Sequence, residues 1–312
     1  MNTNPIDLVF DLETGDPDDA MTLALMATHP RVNLIGVSVF PGGRDQVGLV
    51  KRILDLVGKP HVPVGAGKPK KDVPRVSDFY RRWLGPIEDR DADLPAAELL
   101  SLPANEHAHL LTGGPLTNID WGYDRYAFGE TAREGSFFAS WTVQGGFVGD
   151  NLMPSHLRLE KFTGRLTCPT FNLNGDPDAA RVLLECRSNV RPEIPIRRMV
   201  PKSVCHGMFY TQEIDARIPR GVHAGLDLVK EGMQVYFAKY PEGKALHDLV
   251  AATMAIEPTA GTWIQACPFR AKGEWGCQLP SEVQTDPDRG EAVPIDVLIE
   301  LSQESFERVL VG

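Results

Sequence analysis

The sequence predicts an α/β fold: one domain over residues 1–312, with a mostly parallel central sheet flanked by helices. Three observations point there. Short apolar runs alternate with helix-like stretches from the start of the chain. Several of these runs end in turns rich in glycine or carboxylates. Neither an internal repeat nor a low-complexity linker divides the sequence. A length of 312 residues suits one large α/β unit, and a hydrophobic fraction of 42% is enough to fill its core.

Ile6-Asp7-Leu8-Val9-Phe10 reads as a buried strand, and the acidic run Asp11-Leu12-Glu13-Thr14-Gly15-Asp16-Pro17-Asp18-Asp19 follows it directly. Residues 18–26 have helical character, with aspartates at the start, where unpaired backbone N–H groups and the helix dipole favour them. Residues 32–40 form a second strand ending in Pro41-Gly42-Gly43. A helix over 46–57 and a short strand over 62–65 complete a β-α-β-α-β order. Residues 68–105 are polar, proline-bearing and irregular, and read as a long excursion covering the site. His109–Thr112 and Ser140–Gln144 are further strands, the latter ending at Gly145-Gly146. Residues 176–186 and 244–256 read as helices.

In open, Rossmann-like sheets ligands bind at the carboxyl ends of the parallel strands. Three such ends, at residues 11–19, 112–114 and 144–146, carry glycine- or carboxylate-rich turns. Asp11, Glu13, Asp16, Asp18 and Asp19 are crowded into nine residues, and several facing one cavity need a cation or raised pKa values to coexist. Oxygen-only ligands select calcium or magnesium over zinc. The competing reading is a solvated loop in which Asp18 or Asp19 merely caps a helix. The spacing does not fit an EF-hand loop, and no G-x-x-x-x-G-K-[S/T] phosphate loop occurs.

A net charge of −10 disfavours nucleic acid as a partner but not a small nucleoside or a cation. Cys168, Cys186, Cys205, Cys267 and Cys277 are odd in number and contain no C-x-x-C pair, which suggests buried or free thiols in a reducing compartment. No basic start with an apolar core, and no bilayer-length apolar run, is present; a soluble cytoplasmic protein without a membrane partner is the expectation.

The acidic run resembles the D-x-D-x-G-x-D-D-A motif of the inosine-uridine preferring nucleoside hydrolases, calcium-dependent ribonucleoside N-ribohydrolases, with one extra residue and Glu13 at the second aspartate. Four more segments match in the family's order. Leu111-Thr112-Gly113-Gly114-Pro115-Leu116-Thr117-Asn118 is similar to its T-G-P/G-L-T-N segment, and Gln144-Gly145-Gly146 to its M-G-G strand end. Phe171-Asn172 with Asp176-Pro177-Asp178-Ala179-Ala180 is similar to E-F-N…D-P-E-A-A, and His247-Asp248-Leu249-Val250-Ala251 to H-D-P-L-A. The matches span residue 6 to about 258.

The resemblance implies Ca2+ held by Glu13, Asp19, the carbonyl of Thr112 and Asp248, with Asp11 behind them orienting the ligands. It implies a water activated for attack at the anomeric carbon, with Glu13 as base; the inserted residue leaves Asp16 as the alternative. Asp18 and Asn172 would bind ribose hydroxyls. His247 either protonates the departing base or makes a structural hydrogen bond. Thr170 replaces the glutamate that usually meets the 5′ end of the ribose, leaving a smaller neutral group there. His206, Phe209 or Tyr210 are placed to stack on or bond a nucleobase, with core packing as the alternative for Phe209. Trp275 lines the pocket or anchors the C-terminal region. Arg158, Lys161 and Arg165 form a basic cluster that either binds a phosphate or acidic substituent or is solvated surface.

The implied reaction is hydrolysis of a ribonucleoside to ribose and free base in a homodimer or homotetramer. The alternatives are the same chemistry on a modified nucleoside or other ribosylated metabolite, or an inactive ribose- and calcium-binding protein. Base preference is not legible in the sequence.

Overall fold

The computed structural model describes residues 5–69, 71, 73–130, 132–184, 194–283 and 293–312. Its strands are β1 (Ile6–Leu12), β2 (Val32–Val39), β3 (Val64–Ala66), β4 (Leu94–Pro95), β5 (His109–Thr112), β6 (Ser140–Gln144), β7 (Thr167–Cys168), β8 (Ile196–Val200), β9 (Phe209–Tyr210), β10 (Lys244–Ala245), β11 (Gly261–Ala271), β12 (Glu274–Gln278) and β13 (Ile295–Leu301). The helices that matter below are α1 (Pro17–Thr28), α2 (Arg44–Leu56), α3 (Asp78–Leu84), α4 (Ala96–Leu100), α5 (Thr117–Phe128), α6 (Phe171–Gly175), α7 (Pro177–Leu184), α8 (Lys202–Cys205), α9 (Gln212–Arg217), α10 (Ala224–Phe237), α11 (His247–Ile256) and α12 (Gln303–Val311).

The main sheet has 11 strands in the order β4-β3-β2-β1-β5-β6-β8-β13-β11-β12-β7. From β4 to β13 every pairing is parallel; β11, β12 and β7 extend it with antiparallel pairs. β1 is central, and Leu8, Val9, Phe10 and Leu12 are each at most 1% exposed. Burial of each such side chain contributes about 1.5–3 kcal/mol, so β1 anchors the core. It runs two residues further than its apolar letters suggest, because Asp11 and Leu12 pair with Ser38 and Val39 of β2.

Helix α1 starts where the chain leaves β1. Pro17 suits the first helical position, and the Asp16 side chain accepts a hydrogen bond from the N–H of Asp18 as N-cap. Residues Asp18–Ala27 are all buried, since α1 is covered by α10 and α11 as well as by the sheet. The aspartates at its start are therefore taken out of water along with its leucines.

Two expectations need correction. Residues 68–105 are not an irregular excursion: they contain α3, β4 and α4, with Tyr80 and Trp83 of α3 buried. The helix expected from Lys244 starts only at His247, because Lys244 and Ala245 pair with Tyr210 and Phe209 as a two-stranded ladder. The helix expected over 176–186 is present as Pro177–Leu184, and its C-terminal residues, Cys186 among them, lie outside the described residues. No helix of the described residues is long and apolar enough to cross a membrane.

Candidate functional site

The carboxyl ends of β1 and β5 meet the start of α11, and the carboxylates of the acidic run face that junction. Asp11 is fully buried: its Oδ1 accepts hydrogen bonds from Ser38 Oγ (2.5 Å) and Asn118 Nδ2 (2.9 Å), while Oδ2 has no partner among the described residues. Asp19 Oδ1 accepts from the Glu13 N–H at 3.0 Å, and Asp18 Oδ2 from the Asp248 N–H at 2.8 Å. This last bond ties α1 to α11 across 230 residues of sequence. Gly113 permits the junction: a Cβ there would stand 2.6 Å from Asp248 Oδ2, so only glycine lets this carboxylate reach the end of β5. Thr112 is buried beneath it, its Oγ1 accepting from Trp141 Nε1 at 3.1 Å.

Burial and mutual repulsion disfavour charge on these groups. Burial raises Asp11 to about 7, opposed by its hydrogen bonds from Ser38 and Asn118. Asp18 also rises to about 7, by burial against the pull of Lys244. Asp19 and Asp248 rise well above the usual carboxylate range, by burial first and then by their acidic neighbours. Glu13 is raised by burial and by Asp16, although its Oε2 accepts from the Gly15 N–H at 2.5 Å. Among the described residues no three His, Cys, Asp or Glu side chains already form a metal cluster. The donor chemistry nevertheless fits a hard cation: all the donors are oxygens, Asp19 and Asp248 are raised by their acidic neighbours, and Asp18 Oδ1 is buried without a partner among the described residues.

Asp16 stands apart from this group. It is exposed, caps α1, and forms an ion pair of 2.6 Å with Lys244 Nζ. Lys244 itself is buried, over the ring of Tyr236. It was not singled out in the sequence, where it lies among polar residues with no motif spacing. Tyr80 was missed for the same reason: its hydroxyl bonds the carbonyls of Thr14 (2.9 Å) and Asp16 (2.8 Å) and holds the acidic turn. Gln46 does likewise through Thr14 Oγ1 at 2.9 Å. Beside this turn opens a cleft of about 290 Å3, lined in part by Phe79, Arg82, Tyr236 and Tyr240.

The other side of the site is built on β6 and β8. Asn172 is buried and donates to the carbonyl (3.0 Å) and Oε1 (2.7 Å) of Gln144, at the end of β6. The turn that follows needs glycine, since Gly146 has φ 76° and a Cβ there would overlap Met199. Thr170 Oγ1 accepts from the Gly146 N–H at 3.4 Å. The rings of His206 and His247 lie 4.8 Å apart. Burial, then Lys244, lowers His247 to about 4, and its buried Nε2 has no partner among the described residues. Phe209 is 38% exposed on β9, beside β10 and the start of α11. Trp275, in contrast, is 0% exposed within β12; it packs as an anchor and presents no surface to a ligand.

The members of the basic cluster have different partners. Arg158 turns to the carbonyls of Met153 and Asp150, while Lys161 Nζ reaches His206 Nδ1 at 2.7 Å.

The sequence model of a family described as inosine-uridine preferring nucleoside hydrolase matches residues 8–308. Among solved structures, a plant nucleoside hydrolase superposes with a TM-score of 0.71 at 19% identity, covering 98% of each chain. A purine-preferring ribonucleoside hydrolase from Gardnerella vaginalis gives 0.65 at 19% identity, covering 98% of this chain and 96% of that one. An inosine-guanosine nucleoside hydrolase gives 0.69 at 17% identity, covering 98% and 97%. Comparison with curated proteins returned no match.

Proposed function

Because the chain belongs to the inosine-uridine preferring nucleoside hydrolase family and is an N-ribosyl hydrolase, we propose that it cleaves the N-glycosidic bond of a ribonucleoside to ribose and free base with the aid of one calcium ion. The observation that carries this reading is the set of carboxylates from Glu13, Asp18, Asp19 and Asp248, crowded at one junction where burial and mutual repulsion oppose their ionisation.

Glu13, Asp19, Asp248 and the carbonyl of Thr112 would hold the ion. When bound, it supplies charge compensation, a grip on the ribose diol and a more acidic water. Asp18 and Asn172 orient the ribose hydroxyls, with Thr170 beside its 5′ end. Asp11 orients the ligands from behind, fixed by Ser38 and Asn118. Glu13 accepts the proton of the attacking water. It is favoured over Asp16 because Asp16 already caps α1 and pairs with Lys244. The remaining carboxylate charge stabilises the cation-like sugar of the transition state. His247 serves the departing base as a neutral imidazole donating N–H, since burial disfavours its charged form at neutral pH. His206 and Phe209 flank that base.

The whole of residues 1–312 acts as one unit, in the cytoplasm, as a dimer or tetramer of identical chains; light scattering on the purified protein reads the assembly. The chemistry is tested by a reducing-sugar assay on a nucleoside panel, before and after chelation. Ribose release that chelation abolishes and calcium restores is the expected outcome; release from no nucleoside overturns the reading.

A further inference from the structure

Lys161 and Lys202 lie near enough to repel each other, and no ion pair to an acidic side chain is made by either among the described residues. Lys202 follows the carboxyl end of β8; its backbone N–H donates to the Gly146 carbonyl at 3.0 Å, and its Nζ to the Pro169 carbonyl at 3.0 Å. Pro169 precedes Thr170, whose hydroxyl meets the N–H of the same Gly146. Lys202 therefore stands at the neutral group that faces the 5′ end of the ribose. Lys161 approaches from the segment after β6, with Nζ 2.7 Å from His206 Nδ1 and 5.2 Å from the centre of the Phe162 ring. An ammonium group can only donate, so Nδ1 of His206 accepts and its Nε2 carries the proton. The result is two ammonium groups, one held by His206 and one by the Pro169 carbonyl, with no carboxylate paired to either among the described residues.

Such a grouping is unusual in a chain of net charge −10. Partial burial and the nearby Lys202 both hold Lys161 below its ordinary value, and His206 falls to about 3, by burial first and then by His247 and Lys161. Positive charge is thus left uncompensated where a carboxylate would be expected, and Thr170 adds no negative charge to repel an anion.

Resting on the hydrolase reading above, we propose that the substrate carries a phosphate at the 5′ carbon of its ribose, and that Lys161 and Lys202 bind it, with His206 holding Lys161 in place. A phosphate offers three acceptor oxygens and a charge of about −1.5 to −2 at pH 7, which matches two ammonium groups. Arg158 takes no part, being committed to the carbonyls of Met153 and Asp150.

The test compares kcat/KM for inosine and uridine with their 5′-monophosphates, in the wild type and in Lys161→Met and Lys202→Met. Loss of one charge-assisted hydrogen bond lowers the monophosphate-to-nucleoside ratio by about 10- to 100-fold in each variant. A second measurement, independent of turnover, is calorimetric titration with ribose 5-phosphate and with ribose in the presence of calcium. Tighter binding of the sugar phosphate, weakened in both variants, is the expected result. Ribose 5-phosphate bound no more tightly than ribose, or a ratio unchanged in both variants, overturns the proposal. If no compound of either class is cleaved, the hydrolase reading falls, and the sugar titrations still decide this one.

Discussion

The middle of the main sheet and its antiparallel edge treat burial in opposite ways. At the carboxyl ends of β1 and β5 the chain buries Asp11, Asp18, Asp19 and Asp248 and leaves oxygens of Asp11 and Asp18 without partners among the described residues. At the antiparallel edge, β11, β12 and β7 bury Trp275, Cys277 and Cys168, and burial pushes the Cys277 thiol up to about 12, where it stays neutral. The second arrangement is what stability favours. The first costs stability, since each desolvated carboxylate must find a counter-charge or a proton. Uncompensated charge in a core therefore marks the region held for chemistry, and an apolar edge marks the scaffold.

Substitutions sharpen the contrast. Glu13→Gln removes the base without changing shape, and steady-state assays should show kcat lowered by about 10²- to 10⁴-fold with the melting temperature nearly kept. A variant within threefold of wild type would move the base elsewhere. Trp275→Ala at the antiparallel edge should do the reverse: urea unfolding should show a loss of about 3–5 kcal/mol, with KM of the folded protein unchanged. Asn118→Ala, which strips a hydrogen bond from Asp11, belongs to the first region at one remove, and should lower calcium affinity or activity by about 10- to 100-fold.

A further effect appears only below neutral pH. His29 is buried, with Nε2 against the Val309 carbonyl at 2.8 Å, and burial lowers its pKa from 6.5 to about 4. The unfolded chain binds this proton at higher pH than the folded chain. The contribution is therefore fully present above pH 6.5 and is lost as pH falls toward 4. Melting temperature should fall through that window, and His29→Gln should flatten the fall.

What the sequence made legible follows the same division. β1 and the acidic run, β5 with Thr112-Gly113-Gly114, and β6 with Gly145-Gly146 are local patterns, each a short apolar strand punctuated by the residues its turn requires. The match to the family rests on those turns, and they meet in space as expected. The antiparallel edge left no such trace, because Thr167 and Glu274 are bonded across 107 residues and neither stretch has a pattern of its own. Lys244 was hidden for a related reason: its burial is imposed by Asp16 and Tyr236, not by its neighbours in the chain. Trp275 misled because an aromatic between glycines reads equally well as a pocket wall or as packing.

The central claim concerns charge, and calcium binding reads it most directly. Calcium titrated into chelator-treated protein at pH 6, in two buffers of different ionisation enthalpy, should bind at one site per chain and release protons, because Asp19 and Asp248 hold protons above the usual carboxylate range. Asp248→Ala should abolish the site. Absence of binding to the wild type, or equal binding by the variant, would contradict the account.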